Sequence, residues 1–200
     1  GHEHTLLDFR LSLPEDWARD EQRRQECHVP KEVRYHTRQQ QCLEMLDAWG
    51  DQVPHGWVTG DEELGRHSWF RGELRDRGER YVLGVPCTTT MRDLEAPLPA
   101  YQGRGRRPKS PWQSVTQWRQ GLDAEAWTYL TVRDGEKGPV EIEMVKCRVP
   151  TRIERKRTGP AEWLVVTRRL LADERTLEPK ASPDATDQDA RYRYHYYLTP

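Results

Sequence analysis

Gly56-Trp57-Val58-Thr59-Gly60-Asp61-Glu62-Glu63-Leu64-Gly65 (residues 56–65) is a short apolar run that ends in a glycine and opens onto three carboxylates. Such a run predicts a buried strand over residues 56–59, with Gly60 and Gly65 punctuating its exit. An acidic residue just past the C-terminal end of a buried strand lies where open α/β sheets place their ligands, so Asp61 is the first candidate for chemistry. The same carboxylates also read as a helix start, because negative side chains are stabilised near helix N-termini. The local pattern is compatible with both readings.

Outward from this stretch, the flanking segments alternate in period. Upstream, Thr37 and Gln40 fit a capping box, Cys42, Met45, Leu46 and Trp49 recur at helical spacing, and Gly50 ends the helix. Further upstream, residues 15–31 form a charged connection anchored by Trp17, with a short helix over residues 20–27. Leu6, Leu7, Phe9, Leu11 and Leu13 predict a strand that Pro14 ends. Downstream, Ser68 caps a helix with Trp69, Phe70 and Leu74 inward and Gly78 at its end. Residues 81–85 are a further buried strand, stopped by Pro86. Residues 5–86 therefore read strand, helix, strand, helix, strand, an α/β sheet whose last two strands are parallel.

After Pro86 the character changes. Residues 87–125 are irregular and rich in Pro, Gly, Arg and Trp. Between Glu95 and Asp123 there is no acidic residue, while Arg104, Arg106, Arg107, Lys109 and Arg119 are interleaved with Trp112 and Trp118. Residues 126–132 and 140–149 flank Asp134-Gly135 and Gly138-Pro139 and predict a hairpin. Its second strand slips phase between Met144 and Val145, which predicts a bulge there. A second basic run covers residues 152–157, and a strand covers residues 163–171. Residues 172–190 are acidic with Pro and Ser and read as a mobile loop. A last strand follows, in which Tyr192, Tyr194, Tyr196 and Leu198 alternate with Arg191, Arg193 and His195. There is no internal repeat.

Composition narrows the function classes. Of 200 residues, 34% are hydrophobic and 32% charged, so the core is thin and the eight tryptophans must supply much of its apolar area. Lys and Arg total 32 against 33 Asp and Glu, so any basic surface is local rather than global. No apolar run reaches the about 18 residues needed to span a bilayer, and the N-terminal residues show no signal-peptide pattern. Cys27, Cys42, Cys87 and Cys147 are scattered, fitting neither a zinc knuckle nor a disulfide framework, and point to reduced thiols in a cytoplasmic protein. The seven histidines show no catalytic spacing, and nucleophile motifs built on Ser or Cys are absent.

Several segments, taken in order, resemble the catalytic region of a bacterial insertion-sequence transposase of the DDE superfamily. They are Gly1-His2 with residues 6–14 and Trp17, then Val29-Pro30-Lys31-Glu32-Val33-Arg34 and Leu43-Glu44-Met45-Leu46. Next come Trp57-Val58-Thr59-Gly60-Asp61-Glu62 with Gly65, and residues 81–86. Gly138-Pro139 and residues 162–166 extend the likeness more thinly. The resemblance implies a ribonuclease-H-like fold, with residues 1–86 as part of the catalytic core and residues 87–200 as a β-rich insertion. It maps residues 6–13 onto the family's third strand and Asp61 onto its second catalytic aspartate.

On that map the first aspartate belongs upstream of Gly1 and the final glutamate downstream of Pro200, so the chain reads as a middle fragment, inactive alone. In the intact parent, Asp61 would be a shared ligand of two Mg2+ (or Mn2+) ions that nick transposon ends and join them to target DNA. Glu62 and Glu63 read as solvated helix-start charges. Arg104, Arg106, Arg107 and Lys109 are candidate phosphate contacts, and Trp112 and Trp118 candidate stacking partners for a flipped base. The alternative is that both tryptophans pack in the insertion's core, which Trp118 fits better, and that the arginines are simply solvated; for Arg104, Arg106 and Arg107 both readings stay open. The expected partners are DNA and, through an exposed strand edge beside residues 6–13, a second copy of the chain. Two other classes remain open, a non-catalytic nucleic-acid-binding module and a degenerate transposase relic with a structural or regulatory role.

Overall fold

The computed structural model describes residues 5–135, 138–170 and 191–200, and the chain divides into two compact units, Gly1–Gly56 and Trp57–Pro200. The first unit is helical. Helix α1 spans Glu15–Arg19, α2 spans Glu21–Glu26 and α3 spans Arg38–Trp49. Asp20 caps α2 by accepting from the Arg23 amide, and Thr37 with Gln40 forms the reciprocal capping box the sequence predicts for α3. Arg24 donates to the carbonyls of Pro30 and Val33 at 2.9 and 2.8 Å, which ties α2 to the approach of α3. The buried residues of α3 are Gln39 and Leu43, with Cys42, Met45 and Leu46 half-buried and Trp49 exposed, so the inward face is rotated from the predicted stripe.

The strand expected over residues 6–13 is not formed. Leu6, Leu7, Phe9 and Leu11 are 59–80% exposed and only Leu13 is buried. A strand is stable only where a neighbour takes its backbone hydrogen bonds, and among the described residues no strand pairs with this segment. It is held instead by side chains, with the Trp49 indole donating to Asp8 and Gln41 to the Leu11 carbonyl.

The second unit is a mixed α/β layer. Its elements are β1 (Val58–Gly60), α4 (Glu62–Gly65), α5 (Ser68–Asp76), β2 (Tyr81–Gly84), β3 (Thr90–Met91), β4 (Gln113–Ser114), α6 (Val115–Gln120), β5 (Thr128–Gly135), β6 (Gly138–Arg152), β7 (Thr158–Leu170) and β8 (Tyr192–Thr199). The sheet order is β1-β2-β8-β7-β6-β3-β4, with β5 paired to the first half of β6. Strands β1 and β2 are parallel, as the alternation of elements predicts, and the remaining pairs are antiparallel. Strand β8 lies between β2 and β7, so the sheet is continuous across residue 86.

One face of this sheet carries the core. Val85, Cys147, Val149, Leu164, Val166 and Leu198 pack with Val115 and Trp118 of α6. Helix α5 covers the same face through a buried ionic cluster. Glu162, 1% exposed, accepts from Arg71 Nε at 2.9 Å, Arg75 at 3.1 Å and the Tyr81 hydroxyl at 2.6 Å. Arg71 donates further to Thr151 Oγ1 and to the Gly65 carbonyl. Burial, with the Glu162 charge beside it, raises the Tyr81 phenol well above its usual value, so it stays a neutral donor.

Four further expectations are corrected. The strand at residues 56–59 is an edge strand, half-buried and beginning at Val58, with Trp57 51% exposed under the Arg80 guanidinium. His67, not Ser68, stands at the α5 N-cap, since the Ser68 hydroxyl donates to Glu154; Trp69 is 40% exposed while Phe70, Arg71 and Leu74 turn inward. One bulge lies between Thr131 and Arg133 on β5 and the β6–β7 register shifts again between Pro150 and Arg152, but it is unbroken through Met144 and Val145. The phase slip arises because β6 passes from the hairpin, where neither face is fully buried, onto the core. Within the segment read as irregular, Ser114 and Gln117 form a capping box that starts α6. The predicted mobile loop at residues 172–190, the Leu171 end of its preceding strand, and Gly1-His2 lie outside the described residues.

Replacing Glu162 by Ala leaves the buried Arg71 guanidinium without its carboxylate and the Tyr81 hydroxyl without its acceptor. Urea denaturation of the variant is expected to show a loss of about 3–5 kcal/mol, the usual consequence of removing one partner of a buried charge pair.

Candidate active site

Asp61 follows the last residue of β1 and caps α4. Its backbone is extended, and its Oδ1 accepts from the amides of Glu63 at 3.1 Å and Leu64 at 3.3 Å. The helix-start reading of the carboxylates is therefore correct, and it does not compete with a ligand role. Both amides bind Oδ1, so Oδ2 is the oxygen available to a cation or a donor. Asp61, Glu62 and Glu63 are all exposed, and Glu62 lies 3.8 Å from Arg66 one turn on.

Three glycines bring this turn down onto β2. A Cβ on Gly65 would sit 2.0 Å from the Gly84 carbonyl oxygen, and one on Gly84 would meet the Glu62 amide nitrogen at 2.9 Å. A Cβ on Gly60 would fall within 2.9 Å of both Leu64 and Leu83 side chains. Any side chain at Gly65 or Gly84 would push α4 off the sheet and move Asp61 with it. The Arg71 bond to the Gly65 carbonyl fixes the far end of the same turn, so the buried cluster around Glu162 reaches Asp61 through one residue.

The turn forms one wall of an open cleft of about 500 Å³. The other walls are Gly84 at the end of β2, Val85 and Cys87 just after it, and His195 and Tyr197 of β8. The β8 wall has no counterpart among the residues singled out from sequence. Its signal was the alternation of tyrosines, but no local pattern reveals that this strand pairs with β2.

The other candidates lie elsewhere in the second unit. Arg104, Arg106, Arg107 and Lys109 are exposed on the connection between β3 and β4, where Arg107 stands over the Tyr101 ring. Trp112 is half-buried with the Arg152 and Arg92 guanidiniums 3.8 and 4.5 Å from its ring centroid. Trp118 is buried and its indole donates to Asp93 at 2.9 Å, a packing role.

The family described as DDE superfamily endonuclease matches residues 1–139. The chain belongs to that family. The match includes β1, the Asp61 turn, α5 and β2, and the mixed α/β sheet agrees with the ribonuclease-H-like fold the resemblance implies. Most of β6, with β7 and β8, lies beyond the matched residues. No curated protein matches the chain.

Nucleases of the DDE superfamily generally depend on divalent metal ions. Asp61 fits a hard cation as one oxygen donor. Among the described residues, however, no three His, Cys, Asp or Glu side chains gather into a metal cluster, so Asp61 alone does not constitute a two-cation centre. Among the same residues, no helix is long and apolar enough to cross a membrane.

The close approach of α4 and β2 makes a paired prediction. Gly65→Ala should lower the thermal midpoint and shift the amide resonances of Glu63 and Leu64 by displacing the turn. Gly72→Ala, in α5 with open space at its Cβ, should instead stabilise by about 0.5–1 kcal/mol. Thermal melts and backbone NMR of the two variants check both directions.

Proposed function

We propose that this chain is the part of a DNA transposase catalytic domain that supplies Asp61 to a metal-dependent phosphodiester-cleaving centre acting at transposon ends. The observation that carries the reading is the position of Asp61. It stands at the C-terminal end of a parallel strand, in a cleft, with one carboxylate oxygen fixed by backbone amides and the other available.

Two hard cations roughly 4 Å apart, when bound at such a centre, stabilise the entering and leaving oxygens of an in-line displacement. The part of this chain is to hold one ligand in place. The α4 N-terminus orients the carboxylate, and the glycine contacts with β2 fix the height of the turn above the sheet. The further carboxylates come from polypeptide other than the described residues. Residues 1–86 then belong to the ribonuclease-H-like core, and residues 87–200 are the β-rich insertion, whose strands β6, β7 and β8 return to extend the core sheet.

Arg104, Arg106, Arg107 and Lys109 are exposed together on one connection and are placed to contact DNA phosphates. Trp112, already engaged by two arginines, serves better to hold those cations in place than to stack on a base.

The test is Mg2+- or Mn2+-dependent cleavage of transposon-end DNA by the natural full-length protein and by its Asp61→Asn variant. The variant should fold normally and lose cleavage by at least 100-fold, whereas cleavage equal to wild type would remove Asp61 from the site. Metal-independent DNA binding without cleavage by either protein would favour the binding-module reading.

A further inference from the structure

The face of the sheet opposite the core carries Lys146, Arg148, Arg169 and Arg193, and Asp61 lies at the β1 edge of the same sheet. In antiparallel pairs, residues in register share a face. The register sets Lys146 opposite Val165, Arg148 opposite Trp163, and Arg169 opposite Arg193. Val165 in turn pairs with Tyr197, and Tyr197 with Gly84 of β2. These positions alternate with the core residues Cys147, Val149, Leu164, Val166, Tyr196 and Leu198, so they belong to the other face. Lys146, Arg169 and Arg193 are exposed, and Arg148 is half-buried.

Charge is segregated between the two faces. Glu143 and Glu162 lie on the core side, each paired with an arginine, Arg168 and Arg71 respectively. The opposite positions of β6 from 144 to 150, of β7 from 163 to 169, of β8 from 193 to 199 and of β2 contain no Asp or Glu. Two arginines directly opposite one another are unfavourable in a sheet. Arg169 and Arg193 hold that relation with no acidic residue among those positions to relieve it. Such an arrangement is stabilised when an anion lies across it.

Asp61 completes the row. Gly60 pairs with Leu83, so the next residue lies beside Gly84, and a Cβ on Gly84 would be 3.4 Å from the Asp61 Cα. Asp61 and Tyr197 line the same cleft on either side of that glycine. From β1 to β6 there are four strand spacings, about 20 Å.

We propose that this basic face is the surface on which duplex DNA docks by its phosphate backbone, with Asp61 at one end of the track. The proposal rests on the reading of the chain as part of a DNA endonuclease and adds the surface that presents the substrate. Duplex is favoured over single-stranded DNA because the half-buried Trp163 ring already carries Lys146 and Arg148, at 5.1 and 5.3 Å from its centroid. His195 and Tyr197 likewise stack on each other, so the face offers charge rather than open aromatic platforms.

The experiment is fluorescence anisotropy of a labelled DNA duplex with the natural full-length protein, titrated with KCl in EDTA so that no cleavage intervenes. Each lost phosphate contact lowers the slope of log K against log salt by about 0.9. The double variant R169Q/R193Q should therefore lower the slope by roughly 1.8 and weaken binding equally on duplexes of unrelated sequence. R169E separates binding from folding. It faces Arg193 across the ladder, so it should melt at or above the wild-type temperature while binding roughly tenfold more weakly. An unchanged slope in R169Q/R193Q overturns the docking surface and leaves the Asp61 reading intact, since that reading is decided by cleavage. Tighter binding to single strands than to duplex overturns the choice of ligand. Failure of the wild-type chain to bind either form overturns the proposal.

Discussion

The Glu162 carboxylate, buried beneath α5, is the point on which the second unit depends. A buried charge is costly unless its partners satisfy it, and Glu162 is met by two guanidiniums and a phenol from α5 and β2. Arg71 passes the constraint on, to β6 through Thr151 and to α4 through the Gly65 carbonyl. A set of apolar side chains could fill the same volume, but it would not specify which turn of α5 faces which strand. Directional hydrogen bonds do, and here they fix the element that carries Asp61.

The glycines then convert that fixed scaffold into a close approach. Gly65 and Gly84 place backbone against backbone where no other residue fits, and the Asp61 carboxylate rises directly from the contact. The site is thus built from main chain and a buried ionic cluster, with little help from the apolar core, which lies under β6, β7, β8 and α6. This suits a chain with few hydrophobic residues. It also leaves the opposite face of the sheet free to carry cations.

Much of the site was legible because its signals are local. The capping box of α3, the strand and glycine before Asp61, the helix after it, and Gly78 in a left-handed turn after α5 all follow from neighbours in sequence. What was not legible depends on partners far along the chain. Residues 6–13 alternate like a strand, yet no described strand pairs with them, and their leucines face outward. The placement of β8 between β2 and β7 joins residues more than 100 apart, and with it come the β8 wall of the cleft and the basic face. Helix α6 was legible in principle from Ser114 and Gln117, but the surrounding Pro, Gly and Arg obscured a helix of six residues. The basic residues that stood out in sequence fall in short runs, 104–109 and 152–157, whereas Lys146, Arg148, Arg169 and Arg193 are spread over three strands.

If Asp61 is a metal ligand, as proposed, metal binding registers its loss without the intervening steps of turnover. Mn2+ can be titrated into the natural full-length protein bound to transposon-end DNA and followed by the loss of the free-ion electron paramagnetic resonance signal, for wild type and Asp61→Asn. Removing a direct ligand should cost at least as much as the 10- to 100-fold typical of residues that only support one, so an affinity weakened by roughly tenfold or more is predicted. Equal Mn2+ affinity in a folded Asp61→Asn protein would remove Asp61 from the metal site.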